Sequence, residues 1–383
     1  MNVYLDNSAT TKPCAAAASL IQELSESGWY NPSALYRPAL ETERKISRVR
    51  EKCLSTAGAS GNRIIFTSGG TESDNLAILG YLRGCRQTGT VLFSSIEHPA
   101  VSACADEVRK MGHRTAEIPV NKTGIIDCEK LIPLLDPGVL MICVMQVNNE
   151  TGAIQPVREI ADLRDHYCPK APIHIDGVQG FLRVPVDFNR SRIQSYAFSA
   201  HKIHGLKGTG GLIISNDFPV RPVLFGGGQE NGFRSGTENT FGILTLGAAL
   251  DTWNPEDIKR MKALKIRLWQ KLCSRIPGAE VNGPSPDSDE SAPHILNIAF
   301  EPVRSQTMLF ALEGDGILVS AGSACSSRKQ KVSPVLKAMN IPTSRADCSV
   351  RFSLSRDTTE EEIDYTAECT AKQYEMLKKY TRR

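Results

Sequence analysis

The fold is decided by the stretch Arg63-Ile64-Ile65-Phe66-Thr67-Ser68-Gly69-Gly70-Thr71-Glu72-Ser73, in which an apolar strand leads through two glycines into a helix. Short apolar runs alternate with amphipathic stretches from there to residue 214. The runs are rich in Ile, Val and Phe, which is typical of strands covered on both faces. We therefore predict strands at 63–66, 91–94, 115–118, 139–145, 173–175, 195–198 and 211–214, and helices at 71–84, 99–111, 127–135 and 156–166. This repeat predicts an α/β fold with a mostly parallel sheet, whose ligands bind at the carboxyl ends of its strands.

The pattern changes near Trp253. We predict a helix over 255–276, a turn-rich stretch at 282–286, a strand at 294–300, a helix at 306–313 and a strand at 349–353. A final helix is expected to open with a capping box from Thr358 to Glu361. The sequence thus predicts a large α/β domain over residues 13–254, and a smaller α+β domain formed by residues 1–12 and 255–383.

The composition indicates a globular protein. Of the 383 residues, 41% are hydrophobic and 23% are charged, which excludes disordered and fibrous chains. The 45 basic and 42 acidic residues leave a net charge of +3 without long blocks of one sign, so we expect no nucleic-acid or membrane binding. The apolar runs are too short to span a bilayer and no secretory signal is visible, so a cytoplasmic location is expected.

The cysteines do not form a recognisable framework. Their count is eleven, an odd number, and no Cys-x-x-Cys pair occurs, which argues against a disulfide scaffold and against a zinc site. His201 and His204 lie three residues apart, but no carboxylate or thiol accompanies them. We therefore expect no metal site.

Three features at predicted strand ends carry chemistry. Gly70 and Thr71 open a helix whose free N–H groups can bind phosphate, although a tight turn capped by Thr71 is the alternative. Asp176 ends a buried strand, where it either caps a helix or pairs with a buried cation. Lys202 follows another strand, where desolvation can make it a Schiff-base nucleophile, although a solvated loop lysine is the alternative.

Taken together, these features fit one cofactor. A phosphate cup, an aspartate for a pyridinium nitrogen and a lysine for an aldehyde are what pyridoxal 5'-phosphate requires. Their order along the chain matches the fold-type-I enzymes that use this cofactor.

Ten motifs in order along the chain, three of which contain the features above, strengthen this interpretation. They lie at residues 5–11, 31–33, 67–75, 97–98, 147–152, 174–179, 199–202, 226–230 with 234–237, 320–325 and 351–353. With them the chain resembles, nearly from end to end, the cysteine desulfurases of the class V aminotransferase superfamily. The resemblance implies a fold-type-I transferase that depends on pyridoxal phosphate.

The resemblance also implies roles for the cofactor-site residues. Lys202 would hold the cofactor covalently, and Asp176 would keep its pyridine nitrogen protonated. His98 would stack on the ring, Gln179 would bind the phenolate oxygen, and Asn149 would help to place the cofactor and the substrate carboxylate. The phosphate would be held by Gly70, Thr71, Ser199, His201 and Thr237, the last lent by the partner subunit of a homodimer.

The implied substrate is L-cysteine. Arg351 would bind its carboxylate, and Lys202 would move the α-proton. Cys325 would then attack the substrate sulfur as a thiolate, leaving L-alanine and a persulfide. Small residues and the basic side chains of Arg328 and Lys329 suit a mobile, ionised cysteine.

The cysteine loop has the Ser-x-Gly-Ser-Ala-Cys form of the long-loop subgroup. Members of that subgroup deliver sulfur to an acceptor protein, such as an iron–sulfur scaffold or a tRNA-thiolation enzyme. Two positions depart from the family pattern: Tyr36 replaces a usual His, and Asn231 replaces a frequent Arg, which would weaken contacts across the dimer.

Other functions remain open at this stage. A selenocysteine lyase or C–S lyase of the same superfamily would share every cofactor residue, and the need for Cys325 distinguishes them. A cofactor-free sulfur carrier would have no use for Lys202. A dinucleotide-binding module is disfavoured, because no Gly-x-Gly-x-x-Gly follows the first strand.

Overall fold

A computed structural model of the protein describes residues 1–321 and 333–380. Its strands are β1 (Val3–Tyr4), β2 (Arg63–Thr67), β3 (Thr90–Ser94), β4 (Arg114–Ile118), β5 (Val139–Met145), β6 (Ile173–Asp176), β7 (Ser195–Ser199), β8 (Gly210–Ile214), β9 (Glu280–Val281), β10 (Ile295–Ala299), β11 (Ile317–Leu318) and β12 (Ser349–Ser353). Its helices are α1 (Ala15–Ser27), α2 (Arg37–Thr56), α3 (Gly70–Leu82), α4 (Pro99–Ser102), α5 (Cys104–Lys110), α6 (Cys128–Leu131), α7 (Val157–Tyr167), α8 (Thr240–Asp251), α9 (Glu256–Arg275), α10 (Ser305–Gly314), α11 (Pro334–Ala338), α12 (Thr343–Ala346) and α13 (Glu360–Leu377). Short 3-10 turns lie at Ile132–Leu134, Ala200–Lys202 and Glu230–Gly232.

A seven-stranded sheet forms the centre of the molecule, with the strand order β2-β8-β7-β6-β5-β3-β4. Neighbouring strands from β7 to β4 in this order run parallel, whereas β8 runs antiparallel to both of its neighbours. The predicted α/β fold with a mostly parallel sheet is therefore confirmed.

The strand directions place the loops that carry the motifs at one edge of this sheet. Because β8 is antiparallel to both β2 and β7, β2 points the same way as β7. The loops that follow β2, β3, β5, β6 and β7 consequently emerge on the same side. This geometry brings together side chains that are far apart in the sequence.

Both faces of the sheet are covered, as the apolar strands predict. Successive residues of β2 illustrate this arrangement, since Ile64 and Phe66 join one core cluster while Ile65 joins another. Helix α8 was not predicted from the sequence. It is buried over most of its length and packs against α1 and α2, so it lacks the amphipathic pattern that marks a surface helix.

Two smaller sheets are built mainly from the C-terminal third of the chain. Strands β12, β10 and β9 make an antiparallel sheet, and β1 pairs in parallel with β11. Val3 and Leu5 pack in one apolar cluster with Leu268, Phe352 and Ile363. The first residues of the chain therefore pack against its last third.

Three local predictions were wrong. The helix predicted over 99–111 is two helices, α4 and α5, which are separated at Ala103. The helix predicted over 127–135 is only the single turn of α6, followed by a 3-10 turn. The capping box of the last helix is formed by Thr359 and Glu362, because the Thr358 hydroxyl instead accepts a hydrogen bond from the N–H of Ser355.

None of the helices in the described part of the chain is long and apolar enough to cross a membrane.

Candidate active site

A cavity of about 270 Å³ opens at the edge of the sheet where the motif loops meet. Its walls are formed by Ser8, Ala9, Gly70, Thr71, Asp74, His98, Ala100, Met145, Val147, Asn149, Asp176, Val178, Gln179, Ser199, His201, Lys202 and Arg351. Every site residue predicted from the sequence is among them except Thr237 and Cys325. Thr237 lies exposed on the loop before α8, and Cys325 lies outside the described residues.

The first wall of the cavity is the start of α3. Gly69 has a φ of +152°, which favours glycine at the turn from β2 into the helix. A Cβ atom on Gly70 would lie 2.5 Å from Cγ2 of Val178, so a larger residue would fill the space in front of the helix. The N–H groups of the first turn of a helix have no partner within the helix, and they can donate hydrogen bonds to an anion bound at its start.

His201 adds a neutral ring to this wall. Burial and the neighbouring positive charges of Lys202, Lys207 and Arg183 lower the pKa of His201 to about 4. Its Nδ1 atom lies 3.1 Å from the Thr10 hydroxyl. At neutral pH the ring is therefore neutral, so it can donate a hydrogen bond to an anion but cannot attract one by charge.

Asp176 and His98 form the inner part of the cavity. Asp176 ends β6, is buried, and its Oδ1 accepts the N–H of Val178 at 2.9 Å. Burial raises the pKa of Asp176, an effect opposed by His98, the Val178 N–H and Lys202. Burial lowers the pKa of His98, whose Nδ1 accepts the N–H of Ala100 at 3.1 Å. The neutral His98 ring therefore carries its hydrogen on Nε2.

Lys202 presents its amine from the 3-10 turn after β7. Its Nζ donates to the carbonyl oxygens of Ser8 at 2.5 Å and Ala9 at 2.7 Å. Burial, followed by the positive charges of Arg351 and Arg183, lowers the pKa of Lys202 to about 8. About a tenth of the amine is therefore unprotonated at pH 7, far more than for an ordinary lysine, and a nucleophilic lysine needs this neutral form.

Arg351 closes the opposite side of the cavity. Its Nη1 donates to the carbonyl oxygen of Asn149 at 2.8 Å, and its Nη2 pairs with Oδ1 of Asp6 at 2.7 Å. Its Nε is buried and has no hydrogen-bond partner among the described residues. A guanidinium held in this way, with unused N–H groups at a cavity, is suited to bind a carboxylate.

Several buried residues near the site were not assigned roles from the sequence. Oδ1 of Asp74 lies 3.1 Å from Nε2 of His174, whose Nδ1 lies 2.9 Å from the Ser195 hydroxyl. Burial raises the pKa of Glu97 to about 8, and Glu97 accepts hydrogen bonds from Ser94 and from the N–H of Met145. Asp6, Asp74, Glu97 and His174 all lie in the quoted motifs, so their positions were visible although their contacts were not.

The site fits pyridoxal phosphate. The glycine-lined start of α3 can accept a phosphate, the buried Asp176 carboxylate in the same cavity can pair with a protonated ring nitrogen, and the Lys202 amine can bind an aldehyde. Groups of three or more His, Cys, Asp or Glu side chains that could hold a metal ion do not occur within residues 1–321 and 333–380. The fold and the site together define a pyridoxal-phosphate enzyme.

Comparisons with known proteins identify the family. The model of the aminotransferase class-V family matches residues 3–366. The chain is 37% identical over 367 residues to the cysteine desulfurase NifS of Azotobacter vinelandii, which covers 95% of this chain and 90% of the relative. It is 35% identical over 376 residues to the cysteine desulfurase IscS of Clostridium botulinum, which covers 97% of this chain and 94% of that relative. A solved structure of a NifS-like protein matches with a TM-score of 0.91 at 30% identity, covering 98% of this chain and 100% of that one. The chain therefore belongs to the class-V aminotransferase family, and its cofactor is pyridoxal phosphate.

Proposed function

We propose that this enzyme is a cysteine desulfurase, which converts L-cysteine to L-alanine and transfers the sulfur to an acceptor as a persulfide. The observation that carries the proposal is the placement of the Lys202 amine, with its lowered pKa, in the same cavity as the carboxylate-binding Arg351. The relatives over nearly the whole chain are themselves named cysteine desulfurases, which supports the same activity.

Each residue of the site has its own role in the proposed reaction. Arg351 binds the substrate carboxylate, and Asn149, whose carbonyl oxygen accepts from Arg351, borders the same position. When bound, the cofactor supplies an electron sink that stabilises negative charge on the substrate. Lys202, whose pKa is about 8, removes the α-proton and can return it. Asp176, buried in the wall of the same cavity, would pair with the ring nitrogen of the cofactor and keep it protonated.

Sulfur transfer requires a second nucleophile, for which we propose Cys325. Its thiolate attacks the substrate Sγ, so that the new S–S bond forms as the Cβ–Sγ bond breaks. The carbon fragment keeps the electrons of that bond, takes up a proton and leaves as alanine, while Cys325 holds the persulfide. Cys325 lies outside the described residues, and its role therefore rests on the motif at 320–325.

The proposal extends to partners, location and domains. We propose a cytoplasmic homodimer in which Thr237 of each subunit contributes to the phosphate site of the other, and whose acceptor is an iron–sulfur scaffold or a tRNA-thiolation protein. Thr237 is exposed and does not line the cavity of its own chain, which supports this arrangement. We also propose a large domain over 13–254 and a small domain formed by 1–12 and 255–383. The apolar cluster of Val3, Leu5 and the last third supports the division, although Val335 and Leu336 pack with the main core.

The activity is tested by measuring alanine and sulfide formed from cysteine in the presence of a thiol reductant. Three proteins are compared: the native enzyme, Cys325→Ala, and Cys273→Ala as a control at an exposed cysteine on α9. We expect alanine from the native enzyme and from the control, and none from Cys325→Ala, although all three keep the visible absorbance of bound cofactor. Equal activity in Cys325→Ala would instead indicate a C–S lyase or a selenocysteine lyase.

A further inference from the structure

Arg183 is one of the largest fully buried side chains in the described chain, with 2% of its surface exposed. Its partners there are neutral oxygen atoms rather than carboxylates. Burying a guanidinium without a counter-charge is costly, so a chain keeps one where its hydrogen bonds have a purpose. The sequence motifs assign no role to this residue.

The hydrogen bonds of Arg183 tie together two residues of the active site. Nη1 donates to Oε1 of Gln179 at 3.2 Å, and Nη2 donates to the carbonyl oxygen of Lys202. Gln179 in turn donates from Nε2 to the carbonyl oxygen of Ser8 at 2.9 Å, and Ser8 accepts from Nζ of Lys202 at 2.5 Å. The four residues therefore form a closed ring of hydrogen bonds, in which Ser8, Gln179 and Lys202 line the cavity and Arg183 lies behind them.

This ring determines which way the Gln179 amide points. Its Oε1 accepts from Arg183 and lies 3.3 Å from Nε2 of His294, a buried histidine whose pKa is held well below its usual value, mainly by burial. Because Oε1 is the atom that accepts from these donors, Nε2 lies on the side of Ser8 and donates one hydrogen to its carbonyl oxygen. The second hydrogen of Nε2 can be donated to a ligand in the cavity. The ring thus presents a donor rather than an acceptor to a ligand.

Arg183 also contributes charge. Burial lowers its pKa to about 9, so the guanidinium stays positive at neutral pH. Among the residues that the structure describes, the charged and titratable groups that face Lys202 are Arg183, Arg351, Asp6, Asp176, His98 and His201. The two arginines oppose protonation of the Lys202 amine and the two aspartates favour it. Loss of one positive charge would therefore shift this balance toward the protonated amine.

We propose that Arg183 is a positioning residue of the active site, which locks the Gln179 amide and the Lys202 turn and keeps a fixed positive charge near the Lys202 amine. It acts through Gln179 and Lys202 and lies outside the cavity wall. The inference rests on the proposed role of Lys202 as the cofactor-binding lysine.

The test compares Arg183→Met and Arg183→Lys with the native holoenzyme. Arg164→Met is the matched control, because Arg164 is also buried and donates to the backbone carbonyls of Ala171 and Arg192 at 2.8 Å. Two quantities are measured: the pH midpoint of the visible absorbance of bound cofactor, and the dissociation constant for pyridoxal phosphate. Neither depends on turnover.

We expect Arg183→Met to raise the pH midpoint by about one unit and to weaken cofactor binding by about tenfold, because both the charge and the hydrogen bonds are lost. Arg183→Lys should keep the midpoint within about 0.3 units but still weaken binding, because an ammonium cannot reproduce the planar fork. Arg164→Met should lose thermal stability without a change of midpoint.

A midpoint in Arg183→Met that matches the Arg164→Met control would overturn the inference. If Arg183→Met does not fold, Arg183→Lys decides the question, since native cofactor affinity in that variant would equally overturn it. If the native protein itself shows no cofactor absorbance, the proposed role of Lys202 as the cofactor-binding lysine is contradicted. This result is distinguishable from a failure of the inference about Arg183, which is judged by how the variants differ from the native protein.

Discussion

The side-chain nitrogen of Lys202 lies 2.5 Å from the carbonyl oxygen of Ser8, a residue 194 positions away along the chain. A second bond to Ala9, at 2.7 Å, fixes the amine from the same segment. The backbone of residues 8–9 therefore orients the amine at the cavity, and the lowered pKa of Lys202 favours its neutral, nucleophilic form.

Replacement of Lys202 by alanine should abolish covalent attachment of the cofactor and reduce alanine formation by about 10²- to 10⁴-fold, because both the nucleophile and the proton carrier are lost. Borohydride reduction followed by intact-mass measurement reports the attachment directly. Lys207→Ala, at an exposed lysine five residues further along, is the control and should keep both properties. A cofactor adduct that persists in Lys202→Ala would assign the attachment to another lysine.

Arg351→Lys should raise KM for cysteine by about 10- to 100-fold with a smaller effect on kcat, because a single ammonium replaces the planar fork that binds the carboxylate. Arg345→Lys is the control, since Arg345 pairs with Glu280 away from the cavity. Steady-state kinetics with cysteine separate the two constants. An unchanged KM would show that the carboxylate binds elsewhere.

The proposed dimer predicts that the protein has about twice the chain mass of 41.9 kDa in solution, as measured by light scattering. Thr237→Ala should weaken pyridoxal phosphate binding by about five- to tenfold, which corresponds to the loss of one hydrogen bond. Ser235→Ala, two residues earlier on the same loop, should bind the cofactor normally. A monomer that binds the cofactor with native affinity would contradict the shared site.

The buried amine of Lys265 should make the stability of the folded protein depend on pH. It is fully buried in α9, where its Nζ donates to the Ser291 hydroxyl at 2.7 Å and to the carbonyl oxygen of Ala292 at 2.8 Å. Burial lowers its pKa from 10.5 to about 7. Between these two values the unfolded chain binds more protons than the folded one, so the free energy of unfolding rises with pH through this window.

The contribution of Lys265 is isolated by subtracting the unfolding free energy of Lys265→Met from that of the native protein. Because Lys202 is present in both proteins, its similar effect cancels. We expect this difference in unfolding free energy to grow by about 2 kcal/mol in favour of the native protein from pH 7 to pH 9. Denaturant titrations at the two pH values measure it. Lys259→Met, at an exposed lysine of the same helix, should give a difference that does not vary over this range. If the difference in unfolding free energy between the native protein and Lys265→Met stays constant over this range, the lowered pKa of Lys265 is contradicted.

Much of the site could be predicted because its residues follow strands in short motifs. Gly70, Asp176 and Lys202 each lie at the carboxyl end of an apolar strand or within three residues of it, and the shared direction of these strands brings such positions together. The ion pair of Asp6 and Arg351 could not be predicted, because the two residues lie 345 positions apart.

Other features could not be predicted because they depend on burial or on individual side-chain contacts. Arg183 lies in an apolar run four residues after Gln179, a spacing that hints at a contact without showing that the guanidinium is buried. Thr358 and Thr359 are each followed three residues later by glutamate, so only the contact of the Thr358 hydroxyl with Ser355 determines which threonine caps the helix. Helix α8 lacks an amphipathic pattern because it is buried on most sides.

The pairing of Asp6 with Arg351 also determines when the enzyme can become active during its synthesis. Leu5 accepts the backbone N–H of Ser353, so the first segment reaches its final place only after β12 has been made. At ordinary ribosomal speeds that delay is roughly 20 to 70 s after the first residues emerge. During this interval residues 1–11 have no native partners on β12, and the Lys202 amine, even once translated, is incompletely surrounded. We therefore expect the nascent chain to acquire its cofactor only after β12 has been synthesised.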